Sequence, residues 1–151
     1  MEINRFTIRV YGLLINSSGE VLLSHEKMPH LHFTKFPGGG LEFGEGTREC
    51  LEREFMEETG LRVQVKEHLY TTDFFQPSAF NKGDQLMAIY YRVEPMDDCS
   101  QLSLEEREIS VNGKIETLRF FWEKVNSFDI NLLSFPIDKI VARKFLLGLE
   151  D

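Results

Sequence analysis

Residues 39–61, GGLEFGEGTRECLEREFMEETGL, set a glycine-rich loop directly before a short helix crowded with carboxylates. Thr47 stands where a hydroxyl caps the free N–H groups of a first helical turn, and Gly60 supplies the usual left-handed stop. At about 100° per residue, Leu51 and Phe55 form an apolar edge that would anchor the helix in a core. Glu54, Glu57 and Glu58 share an arc of about 100° beside that edge, while Glu49, Glu52, Arg53 and Met56 fall on the far side. Like charges at this spacing repel by roughly a few tenths of a kcal/mol when exposed, and by more next to an apolar surface. A bound divalent cation reverses the sign, and hard oxygen donors suit Mg²⁺ or Mn²⁺. Gly38, Gly39 and Gly40 let the backbone approach the helix, or a ligand, with no Cβ in the way.

A chain of 151 residues is the size of one domain, so residues 1–151 are expected to share one core. The net charge of −8 argues against a protein that coats nucleic acid, which needs a Lys/Arg surface. It leaves room for a small phosphorylated substrate, because a bound metal supplies positive charge locally. No apolar run approaches the roughly 20 residues of a membrane span. Residues 1–5 carry no signal pattern, so a cytoplasmic protein is expected. Cys50 and Cys99 make no disulfide framework, and His25, His30, His32 and His68 have no cysteine pair to complete a zinc site.

Residues 3–16 alternate as a long strand, with Phe6, Ile8 and Val10 on one side and Thr7, Arg9 and Tyr11 on the other. Ser17, Ser18 and Gly19 make a turn, and residues 20–26 return as a second strand, so the pair reads as a hairpin. Arg9 is expected to be a solvated strand residue, with a substrate phosphate or base as its functional alternative. Residues 27–37 read as a loop lining the same cleft as the glycines. Within it Phe33 or Phe36 would pack in the core or stack on a base, and Lys35 is the candidate phosphate contact. Residues 62–75 read as a bent strand, 76–84 as a turn-rich loop, 85–94 as a central strand, 95–114 as polar loop and 115–125 as another strand. Pro136 starts a last helix with Ile137, Ile140, Val141, Phe145 and Leu149 inside and Asp138, Lys139, Arg143 and Lys144 outside. This order suits an α/β sandwich, a mixed sheet between helices.

The spacing of Gly39, Glu45, Arg53, Glu54, Glu57, Glu58 and Gly60 resembles the signature box of the Nudix (MutT-like) hydrolases at every fixed position. The departure is Phe55, where that family usually has an aliphatic residue; it bears on local packing more than on chemistry. The resemblance covers 23 of 151 residues. It implies an α/β/α sandwich, and hydrolysis of a nucleoside diphosphate linked to another group X by attack of water on one phosphorus. It makes Glu54 and Glu58 the best metal ligands, Glu57 a third, and the Gly39 carbonyl a completing donor. Arg53 would pair with Glu45, Glu49 or Glu57 and hold the loop against the helix. The general base stays open among Glu54, Glu57, Glu105, Glu106, Glu108 and Glu116.

Pro77, sixteen positions beyond Leu61, resembles a marker of ADP-ribose hydrolases, and Pro77-Ser78-Ala79 lacks the tyrosine of dinucleoside polyphosphate hydrolases. Nucleotide sugars and nucleoside triphosphates remain in the substrate set. A homodimer is compatible with the family. The rival reading is a sensor that binds a nucleotide or ADP-ribose without cleaving it; the intact Glu54, Glu57 and Glu58 weigh against that reading.

Overall fold

The protein is described by a computed structural model over residues 2–111 and 113–148. Its alternating first segment forms β1 (Arg5–Leu14), which runs parallel to β6 (Asp84–Pro95) with Arg5 opposite Asp84 and Leu14 opposite Val93. On its other edge β1 pairs antiparallel with β4 (Gly38–Gly40). Beyond β6 lies β5 (Val63–Thr71), antiparallel, with register shifts between Val65 and Tyr70 that give the expected bend. This mixed sheet has the order β4-β1-β6-β5. A second sheet, antiparallel throughout, joins β3 (Leu31–Lys35), β2 (Glu20–Met28), β8 (Lys114–Lys124) and β7 (Arg107–Val111) in that order.

The period of two along β1 decides the layers. Val10 and Leu14 join α1 (Thr47–Thr59) through Cys50, Leu51 and Phe55 in one apolar cluster. Tyr11 and Leu13, pointing the other way, join α2 (Pro136–Phe145) through Ile137, Val141 and Ala142 in another. The expected α/β/α sandwich is therefore present, with its β layer split into two four-stranded sheets. Among the described residues no helix is long and apolar enough to cross a membrane.

Four local expectations are corrected. The turn after β1 forms, with the Asn16 side chain accepting from the Ser18 and Glu20 N–H groups, but β1 and β2 are not a hairpin. They share only the Ile15–Val21 bridge and then diverge into different sheets. Each finds a longer partner, β6 and β8 respectively, and the divergence leaves a gap between them. Residues 27–37 are not a loop, because His32–Lys35 lie opposite Lys27–Ser24 as strand β3. The polar stretch 95–114 holds a short 3₁₀ turn (Cys99–Gln101) and β7. Finally, Asp138 is buried and Phe145 is 41% exposed, the reverse of the helical-wheel expectation; Leu149 lies outside the described residues. Asp138 faces inward because the Tyr90 hydroxyl donates to its Oδ1.

The Phe55 departure has a packing cause. Its ring lies over Gly12, where an added Cβ would stand 2.8 Å from Phe55 Cε2 and 3.2 Å from a Val93 methyl. Gly12→Ala should overpack this contact and cost about 1–3 kcal/mol in urea unfolding, and Gly12→Ala with Phe55→Leu should recover part of it.

Burial pushes the Asp138 carboxyl up to about 6, against its Tyr90 hydrogen bond and the nearby Lys35. A carboxyl whose folded pKa is raised binds its proton more tightly in the folded state. Its contribution to stability is thus full below its ordinary value of 3.8 and lost as pH rises through about 6. Asp138→Asn should flatten that part of the stability-versus-pH profile, removing a change on the order of 2 kcal/mol measured by denaturant titration.

Candidate active site

The glycine-rich loop and α1 are locked together by one side chain. Arg53 donates from Nε to Glu45 Oε2 at 2.9 Å and from Nη2 to Glu45 Oε1 at 2.7 Å, a two-pronged pair. Nη2 also donates to the Gly40 carbonyl at 3.0 Å, and Nη1 reaches both Glu57 oxygens at 3.2 Å and Glu54 Oε1 at 3.4 Å. Arg53 therefore does not point away from the carboxylate arc as the wheel suggested; its long side chain curls back over it. Its hydrogen bonds hold the Glu45 carboxyl down to about 2. Glu49 is not among its partners, because it turns back to accept the Gly46 N–H at 3.0 Å at the helix start. The cap residue is Gly46, and the Thr47 hydroxyl, expected to cap, meets the Tyr91 hydroxyl at 2.7 Å instead. Cys50 is buried beneath the loop, and burial pushes its thiol up to about 12.

Gly39 places Glu54. A Cβ there would overlap the Glu54 carboxylate, which lies flat on the backbone of β4. Burial raises the Glu54 pKa, Arg53 opposes that shift, and Glu57 adds to it. Glu58, one helical turn on, turns into a cleft of about 460 Å³ lined also by Arg9, Glu26, Lys35, Phe80 and Glu116. Burial pushes its carboxyl up to about 7, with Glu54 and Glu26 adding and Lys35 opposing. Glu57 is different: 55% of its side chain is exposed and it is turned to Arg53.

The cleft is the gap left where β1 and β2 diverge. Arg9 comes from β1 and is half-buried, not solvated as expected. Its Nε donates to the Tyr11 hydroxyl at 2.6 Å and its guanidinium lies 4.8 Å from the centre of the Phe80 ring. Lys35 comes from β3 and is buried, its ammonium 3.3 Å from Glu26 Oε2 and 3.3 Å from the Phe36 carbonyl it donates to. Burial pulls the Lys35 pKa down, but Glu26 and Glu58 outweigh it and hold it above the ordinary lysine value. Phe36 is wholly in the core, whereas Phe33 packs on Phe80 and Phe135 at the cleft wall.

Of the carboxylates outside the box, Glu105 and Glu108 are exposed and Glu106 pairs with Lys27 at 3.3 Å. Glu116 is buried and lines the cleft, its pKa raised by burial and by Glu26. Glu26 was not anticipated. The signal was the inward alternation of β2, where Leu22, Ser24 and Glu26 share a face as Glu116, Leu118 and Phe120 do on β8. Pro77 bridges to Gln85 beside the cleft and lines a small cavity of about 30 Å³ with Tyr11, Tyr90 and Asp138.

Among the described residues, no three carboxylate, imidazole or thiol side chains converge as a metal cage. Arg53 holds Glu57 aside, while burial raises the pKa values of Glu54 and Glu58. Two carboxylates with backbone carbonyls nearby form an all-oxygen donor set that fits Mg²⁺ or Mn²⁺, which keep several of their own waters.

Comparison with known proteins follows the same lines. A family model described as NUDIX domain matches residues 5–143. The curated relative named nucleoside diphosphate-linked moiety X motif 6, from Xenopus laevis, is 27% identical over 144 aligned positions, covering 83% of this chain. The chain spans 65% of that relative's length. A solved NUDIX hydrolase from Nitrosomonas europaea is 17% identical with a TM-score of 0.69, over 95% of this chain and 90% of that one. A MutT protein from Methanosarcina mazei Go1 is 18% identical with a TM-score of 0.67, over 96% of each chain. At these identities the two structures are similar in fold.

Gly39→Ala should displace the Glu54 carboxylate without unfolding the chain. Mn²⁺ affinity measured by calorimetry should fall by about tenfold or more while the far-ultraviolet dichroism stays unchanged.

Proposed function

The chain belongs to the NUDIX domain family, and from that premise we propose that it is a divalent-metal-dependent hydrolase. Its substrate is a nucleoside diphosphate joined to a further group X, with ADP-ribose, nucleotide sugars and nucleoside triphosphates in the set, and the bond cleaved lies in the diphosphate. The observation that carries this reading is the cleft itself, where the Glu58 carboxylate faces Arg9 and Lys35 across one space. Carboxylates alone would repel a diphosphate and cations alone would only bind it. Together they hold a metal on one side and phosphate oxygens on the other.

Glu54 and Glu58 hold Mg²⁺ or Mn²⁺, with the Gly39 carbonyl as a further donor. The cation supplies charge neutralisation at the diphosphate and a more acidic bound water. Arg9 and Lys35 bind phosphate oxygens and offset the charge that grows on the bridging oxygen as its bond breaks. Phe80, carrying the Arg9 guanidinium on one side, offers a ring face for the base. Arg53 acts by fixing the loop and by orienting Glu57, which would be the third metal ligand. Glu116 takes the proton from the attacking water, since it is the candidate base outside the box that lines the cleft, and burial raises its pKa and so its affinity for that proton. A cytoplasmic setting agrees with both cysteines being free.

Release of phosphate products should be measured with Mg²⁺ against ADP-ribose, nucleotide sugars, nucleoside triphosphates and dinucleoside polyphosphates. Glu54→Gln and Glu58→Gln should each lower turnover by at least about 10²-fold with folding nearly intact, and Glu116→Gln by about 10²–10⁴-fold. Full activity in either box variant would sink the metal assignment. Tight binding of one compound with no cleavage of any would favour a nucleotide sensor.

A further inference from the structure

The catalytic cleft does not end at Glu116. Past Met28 and Lys114, which belong to both spaces, it continues into an open dish of about 660 Å³. The dish lies between the tips of two hairpins of the second sheet: the turn from β2 to β3 gives Met28, Pro29, His30 and Leu31, and the start of β8 gives Lys114 and Ile115. Ile115 is 66% exposed, an unusual position for a large apolar side chain at a cleft mouth. The Phe80 wall, where the base of the nucleoside is placed, belongs to the cleft and not to the dish.

Chemistry separates the candidates for this dish. A sugar ring needs partners for several hydroxyls, and among the described residues no carboxylate, amide or hydroxyl side chain lines the dish to meet them. Its lining is mainly apolar, with the Met28 thioether among it. Lys114 belongs to both the cleft and the dish, and His30 lines the dish as well. Thioether, ammonium and imidazole all pack favourably on aromatic rings. We propose that the dish is the subsite for the far end of the group X and that this end is a planar aromatic ring, such as the base of a second nucleoside. Lys114 sits between the diphosphate and the ring, and Met28, Pro29 and Ile115 cover the ring's faces. The inference rests on the hydrolase reading for the identity of X, and it lies at the other end of the cleft from the Pro77 loop.

The test uses the full chain with Mg²⁺ and three uncleavable probes: two adenosines joined by a methylene-bridged diphosphate, the methylene-bridged analogue of ADP-glucose, and α,β-methylene ADP. Calorimetry on the wild type should show the diadenosine probe binding more tightly than α,β-methylene ADP. Ile115→Asp should weaken the diadenosine probe about tenfold, and Ile115→Phe should restore it, with α,β-methylene ADP unchanged within about twofold in both. Equal weakening of all probes, equal weakening of the ADP-glucose analogue, or no binding of the diadenosine probe would overturn the subsite. Hydrolysis of unmodified diadenosine diphosphate is read in parallel. Selective loss of binding without any hydrolysis leaves the subsite standing and removes the hydrolase reading, whereas hydrolysis with no probe selectivity does the opposite.

Discussion

The Arg53 guanidinium is the contact on which the site depends. One planar cation with five donors ties the loop at Glu45 and Gly40 to the helix at Glu54 and Glu57. The pair with Glu45 is two-pronged, so it fixes orientation as well as distance. A lysine would supply the charge and none of the geometry. Because Gly40, like Gly38 and Gly39, pairs with β1, the same contact sets how closely the helix approaches the sheet. Phe55 then seats over Gly12 and the carboxylate face is presented to the cleft.

Burying several charges in one place is unfavourable unless each is answered. Here Lys35 is answered by Glu26, Arg9 by the Tyr11 hydroxyl and the Phe80 ring, and Asp138 by Tyr90. Glu54, Glu58, Glu116 and Asp138 sit where burial disfavours their charged forms and raises their pKa values. The cleft therefore holds its cations firmly and its carboxylates in tension. A metal-bound anionic substrate would relieve that tension, since metal and phosphates bring opposite charges in the right order.

The fold and the box were legible because both rest on local periodicity. The alternation of residues 5–14, the helix between Thr47 and Gly60, and the fixed spacing of its glutamates are all read within a few turns of chain. Pairing was less legible. Ser17–Gly19 reads as a hairpin turn and does turn the chain, yet β1 finds β6 some 80 residues away, and nothing local to β1 announces that partner. Asp138 misled for a related reason: a helical wheel assigns a charge to solvent and cannot see the Tyr90 hydroxyl that draws it in. Arg9, Glu26 and Glu116 come from three strands in two sheets and become one site through that same unannounced pairing.

The divergence of β1 from β2 divides the labour of the cleft between two separately hydrogen-bonded sheets. Glu54 and Glu58 ride on the helix packed against the mixed sheet, whereas Glu26, Lys35, Glu116 and the hairpin tips belong to the antiparallel one. Substitutions or insertions at residues 28–31 or 113–115 can thus reshape what the cleft accommodates while the half that carries Glu54 and Glu58 keeps its packing. Such a scaffold is modular, and a descendant lineage could change what its cleft admits by altering two turns and leave the helix and its glutamates as inherited.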